Sequence, residues 1–226
     1  MGPFDPVCVA MQMLHAEQSE TERYEVEIEG KSYFVNPGVF SPKYRGNSRY
    51  FIEVVPQYVV GRYLGMGAGA GILETRLAEA GYDVVATDIS GSACANCRLN
   101  AYYHGVKMEV YRGDLFERVP AMPRFDTIFW NHPWLYVEKP LADATLKVSF
   151  DQHYQDLTRF FKEAPIYLSA QGSILLGTGS PAQQEMIKAI AGMFDFEGEE
   201  LCRNTIPLMV GGELYIDVMV YRYHRR

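Results

Sequence analysis

One glycine-rich run, Gly65-Met66-Gly67-Ala68-Gly69-Ala70-Gly71, restricts what this chain can fold into more than any other stretch. Tyr63-Leu64 leads into it as a short buried strand, and Leu73, Leu77 and Ala80 after it fall on one face of a helix. A chain turning this sharply between strand and helix needs residues free to adopt positive φ. It also brings backbone N–H groups to the positive end of a helix dipole, where they meet a ligand closely. The ligand expected there is a nucleotide or nucleoside. The next strand, Asp83-Val84-Val85-Ala86-Thr87, ends in Asp88. That carboxylate, about 20 residues beyond the glycines, is placed to accept both hydroxyls of a ribose. Two readings of the loop stay open here. Gly65-x-Gly67-x-x-Ala70 satisfies a dinucleotide fingerprint, and Gly67-x-Gly69-x-Gly71 suits S-adenosyl-L-methionine.

At 226 residues the chain has room for one α/β domain with a small appendage. A net charge of -7 argues against a broad phosphate-binding face, so a nucleic-acid partner is not expected. No apolar run approaches the roughly 20 residues of a membrane span, and a cytoplasmic protein without membrane contact is expected. Cys94 and Cys97 form one spaced pair and Cys8 and Cys202 stand alone, while the histidines are scattered. No metal site is expected from that pattern.

In chain order, residues 1 to about 20 read as a loose or docked helix. Tyr24 to Ile28 and Ser32 to Val35 then flank a turn at Glu29-Gly30-Lys31 as a hairpin. Residues 1–47 are expected to form a cap on a ligand-binding domain of residues 48–226, the hairpin covering one end of the sheet or serving as a lid. Asn47-Ser48 is expected to cap a helix running to about Tyr58. A helix from Ser90 to Tyr103 and a third strand from Lys107 to Tyr111 lead to Gly113-Asp114-Leu115. There a carboxylate can accept from an adenine amino group, or simply close a turn. Arg124 to Trp130 reads as a fourth strand running straight into Asn131-His132-Pro133-Trp134. In an open parallel sheet that tip adjoins the first strand, at the switch point where ligands bind. A side-chain amide there holds a nitrogen by hydrogen bond, and an aromatic face beside it stabilises cationic charge. A helix from Gln155 to Ser169, a strand from Gly172 to Gly177, a helix from Pro181 to Phe194 and a hairpin around Gly211-Gly212 complete the reading. This is an α/β fold, a mostly parallel sheet with an antiparallel C-terminal edge.

This order of motifs resembles the class I S-adenosylmethionine-dependent methyltransferases, in the branch with an Asn-Pro-Pro-Tyr tetrad after the fourth strand, such as release-factor glutamine N-methyltransferases. The likeness runs from the hairpin and Val39-Phe40-Ser41-Pro42 to the terminal hairpin. It implies a Rossmann-like fold, with Gly67, Gly69 and Gly71 against S-adenosylmethionine and Asp88 on its ribose. By the same resemblance Asp114 or its neighbour Leu115 meets the adenine and Asn131 holds the nucleophilic nitrogen. The chain departs from the family at Gly65, where the family carries a carboxylate near the cofactor's amino acid end. It departs again at His132 and Trp134 in the tetrad. Trp134 keeps an aromatic wall; His132 is a base, a hydrogen-bond partner or a surface substitution, the last being expected.

The function expected from these readings is attack by nitrogen on a carbon next to the sulfonium, as an N-methyltransferase on a small molecule. The alternative is cyclisation of S-adenosylmethionine as sole substrate, giving azetidine-2-carboxylate and methylthioadenosine. A nicotinamide oxidoreductase would use the glycines and Asp88 but leave Asn131 to Trp134 without a role. A non-catalytic binding protein would need neither Asp88 nor Asn131 intact.

Overall fold

The computed structural model describes residues 5–226. Helix α1 (Pro6–Ser19) starts where Asp5 accepts the N–H of Val7 at 2.9 Å and Pro6 takes the first turn. The hairpin follows as β1 (Tyr24–Ile28) and β2 (Lys31–Val35), then α2 (Gly46–Val54) and a 3₁₀ turn at Val55–Gln57. The next elements are β3 (Tyr63–Met66), α3 (Ile72–Glu79), β4 (Val84–Asp88), α4 (Gly91–Tyr103), β5 (Glu109–Arg112) and β6 (Phe125–Asn131). A small insertion contributes β7 (Leu135–Val137) and β8 (Phe150–Gln152), followed by α5 (Gln155–Tyr167) and β9 (Leu168–Gly179). Helix α6 (Gln184–Gly192) and the hairpin of β10 (Phe196–Pro207) and β11 (Tyr215–Arg225) finish the chain.

The main sheet has seven strands in the order β10-β11-β9-β6-β3-β4-β5. Strands β5, β4, β3, β6 and β9 run parallel, and β11 and β10 close the other edge antiparallel. Every residue of β3 is buried, as a central strand covered on both faces must be. The order reverses direction between β3 and β6. The tips of these two strands therefore flank the crevice in which an open sheet takes its ligand, and those tips carry the glycine loop and Asn131.

Two expectations are corrected here. Asn47 and Ser48 do not cap α2 but are buried in its first turn, and Arg45 precedes the helix in extended conformation. Its guanidinium is drawn inward: Nε and Nη2 donate to the Glu17 carboxylate at 2.7 and 2.8 Å and Nη1 to Ser149 at 3.2 Å, over the ring of Phe40. Pro181 lies in a turn before α6 rather than at its first position. The insertion of β7 and β8 was not expected. It packs on α1, with Ala10, Leu135 and Phe150 forming a separate small cluster.

The N-terminal hairpin shares the main core through Val26, Ile28, Tyr33 and Val35. We propose that the division into a cap of residues 1–47 and a domain of residues 48–226 is one of function, not of separate cores. No helix among the described residues is long and apolar enough to cross a membrane.

Candidate active site

The loop after β3 turns through Gly67, Gly69 and Gly71 at φ of 62°, 57° and 70°. At Gly71 glycine is needed twice over: its φ is positive, and a Cβ there would lie 2.6 Å from Sγ and 2.8 Å from Cα of Cys97. Two amides of α4 fasten the loop. Asn100 Nδ2 donates to the carbonyls of both Ala70 and Phe34 at 2.9 Å, and its Oδ1 accepts the Phe34 N–H at 2.8 Å. Asn96 repeats the pattern, donating to Phe34 and accepting from the N–H of Asn36 at 2.6 Å. The hairpin is thus bolted to the glycine loop through α4.

Asp88 stands at the tip of β4 beside this loop. Its Oδ2 accepts the N–H of Gly69 at 2.9 Å and its Oδ1 that of Ser90 at 2.8 Å. Burial pushes its carboxyl up while these two N–H groups pull it back. Each oxygen retains a lone pair for a hydroxyl.

Asn131 is the hinge of the site because it lines two cavities. One lies against the glycine loop, walled by Gly67, Gly71, Glu74, Phe40, Phe51 and Phe129. The other lies on the far side, walled by His132, Trp134 and Phe40 and roofed by Ala10 and Met13 of α1. The Trp134 indole N–H donates to Asn131 Oδ1 at 3.2 Å and to the Gly177 carbonyl at 3.3 Å. That contact fixes which end of the amide is the oxygen, and it leaves Oδ1 one further lone pair. The indole lies flat against Gly179, where any Cβ would overlap it. Trp134 is therefore both an aromatic wall and the group that orients Asn131.

His132 is not the surface substitution expected. It is 2% exposed, Nε2 lies 3.2 Å from the Thr178 hydroxyl, and Nδ1 has no partner among the described residues. Burial pulls its pKa down to about 3, so the ring is neutral and a poor base. Asp114 and Leu115 do not line the loop cavity; Asp114 is paired with Arg159 at 2.9 Å. Gly65, Gly69 and Asp88 are not among the cavity's lining residues either; Asp88 meets the loop outside this cavity, through the N–H of Gly69.

Glu74 was missed. It sits in the first turn of α3, 3% exposed, its carboxylate filling the space beside Gly65 and accepting the Tyr63 hydroxyl at 3.2 Å. The available signal was a charged residue on the face of α3 that packs on the sheet. Burial raises its pKa from an ordinary 4.5 to about 7, with the Asp88 charge adding to the rise and the Tyr63 hydroxyl opposing it; the Cys97 thiol faces it from α4. A folded value above the unfolded one contributes stability that is present below pH 4.5 and lost as pH rises through about 7. Glu74→Gln keeps the shape and the acceptor for Tyr63. Between pH 5 and 8 it is expected to gain on the wild type by up to about 3 kcal/mol, at about 1.36 kcal/mol per unit, in urea unfolding without cofactor. Parallel stability curves would contradict this.

Residues 32–196 match the family described as methyltransferase small domain. The chain is similar to a release factor glutamine methyltransferase of Bordetella pertussis, 31% identical over 128 residues covering 54% of this chain and 47% of that protein. It is similar to the ribosomal RNA small subunit methyltransferase C of Alcanivorax borkumensis, 26% identical over 155 residues covering 67% of this chain and 43% of that protein. In three dimensions it resembles a T. thermophilus 16S rRNA methyltransferase in complex with AdoMet and guanosine. The TM-score is 0.62 at 19% identity, over 91% of this chain and 50% of that one. The chain spans about half the length of the relatives it matches, and its fold is the Rossmann-like class I methyltransferase fold.

These findings correct the function expected from sequence. The relatives are named for macromolecules, a release factor and a ribosomal RNA, against a small-molecule acceptor and against the exclusion of nucleic acid. Cyclisation of S-adenosylmethionine finds no support among these relatives, which are named as methyltransferases. The match to a methyltransferase family likewise displaces the nicotinamide and non-catalytic readings.

Proposed function

The chain belongs to the methyltransferase small domain family, and on that premise we propose that it transfers the methyl group of S-adenosylmethionine to a planar nitrogen of a macromolecule. The acceptor chemistry is that of an amide or an exocyclic ring amine, which a glutamine side chain and a guanine share. The observation that carries this reading is the position of Asn131 in the wall common to both cavities, with Oδ1 oriented by Trp134. In this reading the cofactor occupies the cavity of the glycine loop, its ribose on Asp88, and the acceptor enters from the other side. Asn131 Oδ1 accepts one N–H of the acceptor, which aims the nitrogen lone pair at the methyl carbon. The N–C bond forms as the C–S bond breaks, the sulfonium leaves as neutral thioether, and the nitrogen loses a proton to water. Alignment of this kind is worth about 7–11 kcal/mol, enough for a leaving group already activated by its charge. Phe40, Phe51 and Phe129 line this cavity, and aromatic rings beside a sulfonium stabilise its charge. The proposed setting is the cytoplasm, which the four free cysteines fit.

The test is to incubate the protein with methyl-labelled S-adenosylmethionine and a desalted cell extract. Label is expected in the macromolecular fraction, released by protease or by ribonuclease according to the acceptor. Asp88→Ala, by removing the acceptor of two ribose hydroxyls, should cost about 1.5–3 kcal/mol in cofactor binding and so lower labelling about tenfold to a hundredfold at limiting cofactor. Label confined to small molecules would contradict the proposal.

A further inference from the structure

Glu74 is a carboxylate in an unusual position. It is buried in the wall of the cavity that the proposed function gives to the cofactor, and among the described residues no Lys, Arg or His pairs with it. Its single side-chain donor is the Tyr63 hydroxyl, which reaches Oε1. Taking a carboxylate out of water without a counter-charge is costly, so a ligand carrying a cation is the natural partner. S-adenosylmethionine carries two: a sulfonium, which donates no hydrogen bond, and an α-ammonium with three N–H donors. Only the second can use a free carboxylate lone pair in a charge-assisted hydrogen bond.

We infer that Glu74 is the ammonium-binding residue of the cofactor cavity, reaching from α3 into the space that Gly65 leaves empty at the tip of β3. The inference rests on the cofactor reading of this cavity. The backbone supports such an exchange of positions. Gly65 lacks the positive φ of its neighbours in the loop, and what bars a side chain there is the Glu74 carboxylate itself. Gly65→Asp alone should therefore be harmful, and harmless once Glu74 is shortened.

The test is calorimetric titration of wild type, Glu74→Gln, Glu74→Ala and the double variant Gly65→Asp/Glu74→Ala. The ligands are S-adenosylmethionine, S-adenosylhomocysteine and methylthioadenosine. S-adenosylhomocysteine keeps the ammonium without the sulfonium, and methylthioadenosine lacks the amino acid altogether. In Glu74→Gln both amino-acid ligands are expected to weaken about tenfold to a hundredfold, with methylthioadenosine unchanged. The double variant should recover S-adenosylhomocysteine affinity relative to Glu74→Ala. Unchanged S-adenosylhomocysteine binding, a loss for S-adenosylmethionine alone, an equal loss for methylthioadenosine, or no recovery in the double variant would overturn the inference. A wild type that binds none of the three would instead overturn the cofactor reading on which it rests.

Discussion

Asn131→Ala is expected to lower kcat by about 10²-fold, roughly 2.7 kcal/mol of transition-state stabilisation at 1.36 kcal/mol per decade, while S-adenosylhomocysteine affinity changes by no more than about threefold. The split follows from position. In the proposed function the glycine loop and Asp88 take the nucleoside, whereas Asn131, which borders both cavities, has only to aim a nitrogen. Its own orientation depends on Trp134, so Trp134→Phe, which keeps a ring but removes the indole N–H from Oδ1, should reproduce part of the kcat loss. Equal losses in turnover and cofactor binding would make Asn131 a binding or folding residue.

Glu17→Ala is expected to destabilise the protein by about 3–5 kcal/mol, because it strands the Arg45 guanidinium in a buried site without its counter-ion. Both side chains are nearly inaccessible, at 3% and 5% exposure, and the carboxylate accepts the Ser41 N–H as well as two guanidinium bonds. This pair holds α1 over the far cavity and joins it to α2 and, through Ser149, to the insertion. Exchanging the whole pair for apolar groups in Glu17→Ala/Arg45→Met should recover most of the loss, since breaking a buried pair costs more than replacing it. Urea unfolding reads both. A cost for Glu17→Ala below about 1 kcal/mol, the range of exposed pairs, would mean that α1 is not fastened in solution as it is in the structure.

What was legible in the sequence was local. The strand, glycine turn and helix of residues 63–79, the carboxylate closing β4 and the Asn131 tetrad each advertise themselves within a few residues, because turn chemistry and burial act over that range. What was not legible pairs residues far apart in the chain. Glu17 and Arg45, Asn100 and Phe34, and Glu74 and the space beside Gly65 leave no periodic trace in the sequence. Strands of three residues such as β7 and β8 are too short to show alternation. His132 misled for a related reason. It follows the apolar run of β6 and looks like the start of a loop, yet the chain beyond it folds back. Trp130 and Tyr154 close over its ring at centroid distances of 6.0 and 6.1 Å.

The exclusion of a nucleic-acid partner rested on net charge. A total of -7 describes the average surface, whereas a macromolecular acceptor meets only the rim of one cavity. Charge over the whole chain bears on solubility and long-range steering, not on which group reaches Asn131.

The central claim is that the two cavities meeting at Asn131 divide the reaction, with the cofactor on the glycine-loop side. A crystal structure of the protein with S-adenosylhomocysteine tests this most directly. The account predicts both ribose hydroxyls on Asp88, the thioether facing Asn131, and the cavity beneath α1 free for the acceptor. A nucleoside bound instead beneath α1, against His132 and Trp134, with Asp88 still engaged only by Gly69 and Ser90, would contradict it.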